Sequence, residues 1–274
     1  MQAGVGFMVA RSDQSGHAES LAHEAVMRGF RRLLAVGGDG TLNEVINGAC
    51  ATGAAASEDV VVGAAPLGSG NDWARALALP AAPRAFARCM AAGRTRAVDL
   101  GRIDFTGRQA VPARHFLNVA GAGIDAHLIA GLPIGAGRRL AYLLNLPEAL
   151  RKFRPPVFDI QADGVRRRAA QLLALVANGP YCGGGMRLAP QARPDDGELD
   201  LVCLAPLSLR VALPRLSRLY DGRLHEEPWA HQQRVRVVEI ATEPPTAVQA
   251  DGQLVGVTPI RITVLPHALR VLTT

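Results

Sequence analysis

Two glycine-rich strings carry the residue types best suited to chemistry. The first is Val36-Gly37-Gly38-Asp39-Gly40-Thr41-Leu42-Asn43-Glu44-Val45, which runs from an apolar stretch through glycines into a helical pattern. Glycines let a backbone turn sharply and approach a phosphate with no Cβ in the way. The helix that follows offers free N–H groups and a partial positive charge. Thr41 is placed to cap that helix or to bond a phosphate oxygen. Asp39 is a carboxylate set among phosphate-type donors, an arrangement that calls for a cation in between, and Mg²⁺ suits it. The second string, Pro66-Leu67-Gly68-Ser69-Gly70-Asn71-Asp72-Trp73-Ala74-Arg75, repeats the design, with Asn71 or Asp72 as helix cap. Ordinary tight strand–helix turns are the competing reading of each string. Two such loops at the ends of neighbouring strands, however, share one crevice at the carboxyl edge of a sheet.

The elements needed to hold these loops are legible up to about residue 100. Helical spacing covers Ala18–Gly29, Leu42–Ala51, Asn71–Leu77 and Pro83–Gly93, and short apolar runs at Arg32–Val36 and Val60–Ala65 read as strands. This alternation predicts an α/β domain over residues 1–100, a parallel sheet covered by helices. Beyond it come short alternating strands at Ala97–Ile103, His115–Ala120, Val157–Ala162, Gln171–Asn178, Leu199–Leu204 and Arg234–Ala241. Asp-Gly turn signals follow at 163, 196 and 251. These predict an all-β sandwich over residues 101–256. A helix over Arg138–Arg151 interrupts it, another is expected at Ser208–Leu219, and residues 257–274 are a segment that could return to the first domain.

Composition narrows the function classes. The chain has 274 residues, 49% hydrophobic, and a net charge of +6 in which Lys152 is the single lysine. Such a basic balance attracts an anionic partner, whether membrane surface, phosphorylated ligand or nucleic acid. With aromatics at 4% there is little material for stacking bases, which argues against nucleic acid. No GxxxxGK[ST] string occurs, so this is not a P-loop kinase. No apolar run reaches membrane-spanning length and no signal peptide is evident, which predicts a cytoplasmic protein. The four cysteines are scattered without CxxC spacing and read as free thiols. Arg138, Arg139, Arg151, Lys152 and Arg154 flank apolar Leu140–Leu146, a segment suited to transient docking on a membrane.

Together the strings resemble the diacylglycerol kinase catalytic-domain family, which includes soluble bacterial diacylglycerol kinases and the sphingosine and ceramide kinases. The pattern GGDGTxNEVxNG stands here as Gly37–Gly48, and the PLGTxNDFAR-like pattern as Pro66–Arg75, with Ser69 where threonine is usual. Asn118–Asp125 and Gly183–Leu201 look like two further family segments. The resemblance implies a Rossmann-like nucleotide domain followed by a β-sandwich. It also implies ATP and Mg²⁺, and transfer of the γ-phosphate to a membrane-presented lipid hydroxyl. Gly37, Gly38, Asp39, Gly40, Thr41 and Glu44 would hold nucleotide with Gly68, Ser69, Gly70, Asn71 and Asp72. Arg193, Asp196 and Glu198 match a structural Mg²⁺ loop in which only Asp196 supplies a matching carboxylate.

Two departures follow. Where the family's general base is the glutamate of DGE, this chain has Asp251-Gly252-Gln253. Glutamine cannot take a proton from a lipid hydroxyl, so Asp39 or Asp251 would have to serve. The chain also starts at what matches the family's second strand, which implies an N-terminally truncated nucleotide domain. NAD kinase, which shares a GGDGT loop, is the alternative enzyme, and a non-catalytic lipid or nucleotide binder is the alternative outside enzymes. Diacylglycerol, a sphingoid base, phosphatidylglycerol and an undecaprenyl-type alcohol all fit as substrates.

Overall fold

The computed structural model describes residues 6–53, 60–108, 111–131 and 138–274. The first third of the chain alternates helix and strand: α1 His17–Met27, β1 Arg32–Gly37, α2 Asp39–Cys50, β2 Val61–Pro66, α3 Asp72–Ala76 and α4 Pro83–Ala92. The long β3 Thr95–Phe105 then leads to β4 Arg114–Phe116, β5 Val119–Gly123, α5 Ile124–Gly131 and α6 Arg138–Lys152. Next come β6 Val157–Ala162, β7 Val165–Ala170, β8 Leu173–Ala177 and β9 Leu199–Leu204. The chain continues through the short helices α7 Leu209–Ala212 and α8 Arg218–Asp221. It ends in β10 Ala230–Val235, β11 Val237–Glu243, β12 Ala247–Ala250, β13 Gln253–Val257 and β14 Ile260–Leu272.

Two sheets organise these elements. The first has the order β1-β2-β14-β11-β6-β7, with β3 paired to β14 and β4 paired to β3; the second has the order β10-β9-β8-β5-β12-β13. β1 and β2 are parallel, as the alternation with helices requires. β14 joins the two halves. Its last residues, Arg270 and Val271, pair in parallel with Val61 and Val62, while its start pairs with β11 inside the sandwich. The second sheet is antiparallel throughout.

Three apolar cores follow from the faces so presented. Phe116, Phe158, Leu199, Leu201, Ile240 and Ile262 fill the space between the sheets. Ile46, Val62, Trp73, Leu100 and Val271 pack under the helices of the α/β half. Leu128, Leu146, Leu173, Leu175, Met186 and Leu224 cover the outer face of the second sheet. Each such side chain contributes on the order of 1.5–3 kcal/mol by leaving water.

Several expected boundaries are corrected. α2 begins at Asp39, inside the glycine string, rather than after Thr41. The expected helix at Ser208–Leu219 breaks into α7, a 3₁₀ turn at Leu213–Arg215 and α8, because Pro214 has no N–H to donate. The single strand expected at Arg234–Ala241 is two strands in different sheets, parting at Arg236. Of the basic segment expected to meet a membrane, the side chains of residues 138–143 lie outside the described ones. Among the described residues no helix is long and apolar enough to cross a membrane. Cys50, Cys89, Cys182 and Cys203 are free thiols.

Candidate active site

β1 and β2 end side by side, with Gly37 opposite Pro66, so both glycine loops leave the sheet at one edge. They touch backbone to backbone: a Cβ on Gly68 would lie 2.3 Å from the Cα of Gly38. Only glycine allows that approach. The Leu67 N–H donates to the Gly37 carbonyl at 3.1 Å and fixes the pair. Neither expected side-chain cap forms. Thr41 sits within the first turn of α2. Asn71 clamps its own loop instead: its Oδ1 accepts from the Gly68 N–H at 2.9 Å and its Nδ2 donates to the Gly68 carbonyl at 2.8 Å. The cap of α3 comes from the other loop. Asp39 accepts from the N–H groups of Asp72 and Trp73, both at 3.1 Å.

Asp72 ties this edge to the β-sandwich half. Its buried carboxylate accepts from the N–H groups of Gly184 (2.8 Å) and Gly185 (2.7 Å) and pairs with Arg75 at 2.8 Å. Arg75 in turn lies over the Tyr181 ring. Burial raises the Asp72 pKa and the Asp39 charge adds to it, while the Gly184 N–H and Arg75 pull it down. The two carboxylates share one space, since a Cβ on Gly70 would lie 2.8 Å from Asp39 Oδ2 and 3.4 Å from Asp72 Oδ2.

The rest of the first string holds the halves together. The Asn43 amide donates to Asp251 Oδ2 and to the His115 carbonyl, both at 2.9 Å. Asn47 donates to the same carbonyl and accepts from the His115 N–H at 2.8 Å. Glu44, grouped with the nucleotide residues on resemblance, turns away to α1. Its Oε2 accepts from the Ala18 N–H at 3.2 Å, at a helix end that has no cap of its own. These roles were missed because helical spacing does not say which partner an amide or carboxylate meets.

Asp251 is not placed as a free base. Its Oδ1 accepts from the N–H groups of Asn118 and Val119, and its Oδ2 from Leu117 and Asn43, at 2.9–3.1 Å. Burial pushes it up to about 6 against those four donors. Gln253 donates from Nε2 to the Gly40 carbonyl at 3.2 Å, so it reaches the first loop as a brace rather than as a proton acceptor.

These parts surround one cavity of about 230 Å³. Gly38, Asp39, Gly40, Ser69, Gly70 and Asp72 line it together with apolar Val119, Ile129, Leu175 and Met186. Asn118 also lines it, and the Asn118 Oδ1 is buried without a hydrogen-bond partner. Gly37, Thr41, Gly68 and Asn71 stand behind the lining residues.

In the Arg193–Glu198 loop, where a cation held by one carboxylate and backbone carbonyls is expected, both side-chain carboxylates meet arginines. Asp196 pairs with Arg234, and Glu198 pairs with Arg234 (2.8 Å) and Arg236 (3.3 Å). Arg193 is exposed. No cluster of three or more His, Cys, Asp or Glu residues suited to a metal occurs among the described residues.

A glycine-loop cradle and an apolar wall thus meet in one cavity between residues of the α/β half and the sandwich half. Comparison with known proteins shows what this arrangement resembles. The diacylglycerol kinase catalytic domain matches residues 1–103, and the YegS C-terminal NAD kinase beta sandwich-like domain matches residues 119–273. A "Probable lipid kinase YegS-like" from Pseudomonas aeruginosa (strain UCBPP-PA14) is 34% identical, over 94% of this chain and 82% of the relative. A diacylglycerol kinase from Mycobacterium tuberculosis (strain H37Rv) is 31% identical, over 93% and 81%. A solved diacylglycerol kinase structure from Bacillus anthracis str. Sterne shares the fold, with a TM-score of 0.71 at 21% identity over 96% of this chain and 83% of that one. The chain belongs to the diacylglycerol kinase family, among relatives that include the YegS-like lipid kinases.

Proposed function

We propose that the protein is an ATP-dependent kinase that transfers the γ-phosphate to the hydroxyl of a diacylglycerol-like lipid. The observation that carries this reading is the mixed lining of the cavity. Glycine-loop N–H groups and two carboxylates meet the apolar side chains of Val119, Ile129, Leu175 and Met186 in one space. A phosphate and an alkyl chain can thus be held within reach of each other.

In this reading the Gly38–Gly40 and Gly68–Gly70 backbones cradle the phosphates, and the N-terminus of α2 adds positive potential. Asp39 and Asp72 would hold Mg²⁺, whose charge neutralises the phosphates when it is bound. Each carboxylate retains lone pairs beyond those its N–H donors use. Asn118 lines the same space beside the carboxylates. Asp39 is the proton acceptor, because Gln253 lacks the chemistry and Asp251 is saturated. Phosphoryl transfer depends chiefly on positioning and charge neutralisation, so losing the usual glutamate is tolerable. The lipid would come from a membrane surface, met transiently by the basic segment around α6.

The test is turnover with ATP and Mg²⁺ against diacylglycerol, a sphingoid base, phosphatidylglycerol, undecaprenol and NAD. Phosphorylation of at least one lipid is expected. Phosphorylation of NAD alone would overturn the lipid assignment, and no turnover with any substrate would make the protein a binder.

A further inference from the structure

A second cavity, of about 180 Å³, lies between the two sheets at their other end, beneath the edge strands β7 and β10. The site described above does not use it. Phe158 and Ile160 of β6 and Leu201 and Cys203 of β9 form its apolar floor. Val165, Arg167 and Ala169 line it from alternate positions of β7, so Arg167 shares the inward face of an edge strand.

Arg167 differs from its neighbours. Arg166 pairs with Asp159 and Arg168 with Glu243. Arg167 has no carboxylate partner among the described residues. It meets His231 Nε2 on β10 at 2.8 Å. That nitrogen also lies 3.2 Å from Gln233 Oε1. That nitrogen accepts from Arg167 only in the Nδ1–H tautomer, so His231 takes up at most one of the five N–H donors of the exposed guanidinium. Trp229 supplies a second unmet donor. It lines the cavity, and its indole N–H is buried without a partner. Burial pushes the Cys203 thiol up to about 12, while the Arg167 charge acts on it in the opposite direction; both residues line the cavity.

We propose that this inter-sheet cavity binds a single-chain anionic amphiphile, a medium-chain fatty carboxylate whose alkyl tail lies between the sheets and whose head sits on Arg167. The cavity's size selects one chain. A dry cavity of roughly 150 Å³ holds a benzene-sized molecule, so this one takes one short tail and excludes a two-chain lipid. Its charge selects the head, since a guanidinium without a carboxylate matches one in a two-point geometry.

The probe is octanoate, titrated into the full chain by calorimetry, with octanol and acetate as controls. Saturable binding at one site is expected, at least tenfold tighter for octanoate than for octanol, with none for acetate. R167A should weaken octanoate at least tenfold. Ala169→Leu, which fills the slot from the exposed strand, should abolish binding while leaving the melting temperature near that of the parent. Absence of saturable octanoate binding would overturn the proposal, as would equal affinity for octanol or an unchanged affinity in R167A. If R167A instead self-associates and octanoate does not bind the parent, Arg167 is a guard against edge-to-edge pairing and the cavity is not a site.

Discussion

Asp39 and Gln253 meet on the same loop with opposite chemical capacities. Asp39 accepts two N–H bonds and keeps lone pairs toward the cavity, whereas Gln253 donates to the Gly40 carbonyl. Asp39→Asn should therefore lower kcat at least 100-fold, the scale of a lost general base. Gln253→Glu should leave kcat unchanged or lower it, since the carboxylate cannot make the bond to Gly40. A rise in kcat with Gln253→Glu would return the proton to that position. Asp125 carries a prediction about pH. Burial raises it from 3.8 to about 6, opposed by the Ala126 N–H and the Gln249 amide, and its Oδ1 has no partner. A raised carboxylate favours folding when protonated, so its contribution is complete below about pH 4 and is lost as pH rises through 6. The loss is about 2–3 kcal/mol. Between pH 4.5 and 7.5 the melting temperature of the parent should fall relative to Asp125→Asn by roughly 3–5 °C. A pH-independent difference between the two would show that Asp125 does not titrate in that window. Residue identity and spacing alone made the glycine loops legible, because few other tasks use that pattern. Which donor each carboxylate meets was not legible, since the partners of Asp251 come from Asn43 and from residues 117–119, far away in the chain.

Helix α2 does two jobs along its length. Its first turn belongs to the cradle, and its middle holds β4 through Asn43 and Asn47. At its far end Gly48 packs on α1, where a Cβ would lie 2.1 Å from the Glu19 carbonyl oxygen and 3.0 Å from the Ala22 Cβ. The last glycine of the GGDGTLNEVING string is therefore a helix-packing residue. Gly48→Ala should cost about 3 kcal/mol by overpacking, measured in urea, while the folded fraction keeps its KM for ATP. A raised KM with unchanged stability would place Gly48 in the cradle instead. Periodicity predicted Val157–Ala162 and Leu199–Leu204 at the boundaries the structure shows, because each is a short run closed by turn residues. It missed α5, whose apolar sequence around Ile124–Gly131 has little helical asymmetry to detect. It joined β10 to β11, because the change of sheet at Arg236 leaves the alternation of side chains almost unbroken.

At the scale of the whole molecule, β14 makes the α/β half and the sandwich one cooperative body. It pairs with β3 along its length, with β2 at one end and with β11 at the other, and Val271 and Ile262 are buried in different cores. Heating followed by calorimetry should give a single transition. Val271→Asp, which buries an unpaired charge, should lower that transition as a whole rather than split it. Two separable transitions in the parent would show that the halves fold independently. The same strand also sets a timetable for synthesis. β2 can pair with β1 at once, but its other neighbour in the sheet, Arg270–Val271 of β14, follows some two hundred residues later. At translation speeds of roughly 5–20 residues per second, β2 must wait about 10–40 s for them. Until then one edge of β2, beside the cradle, is an unpaired strand edge open to the wrong partner.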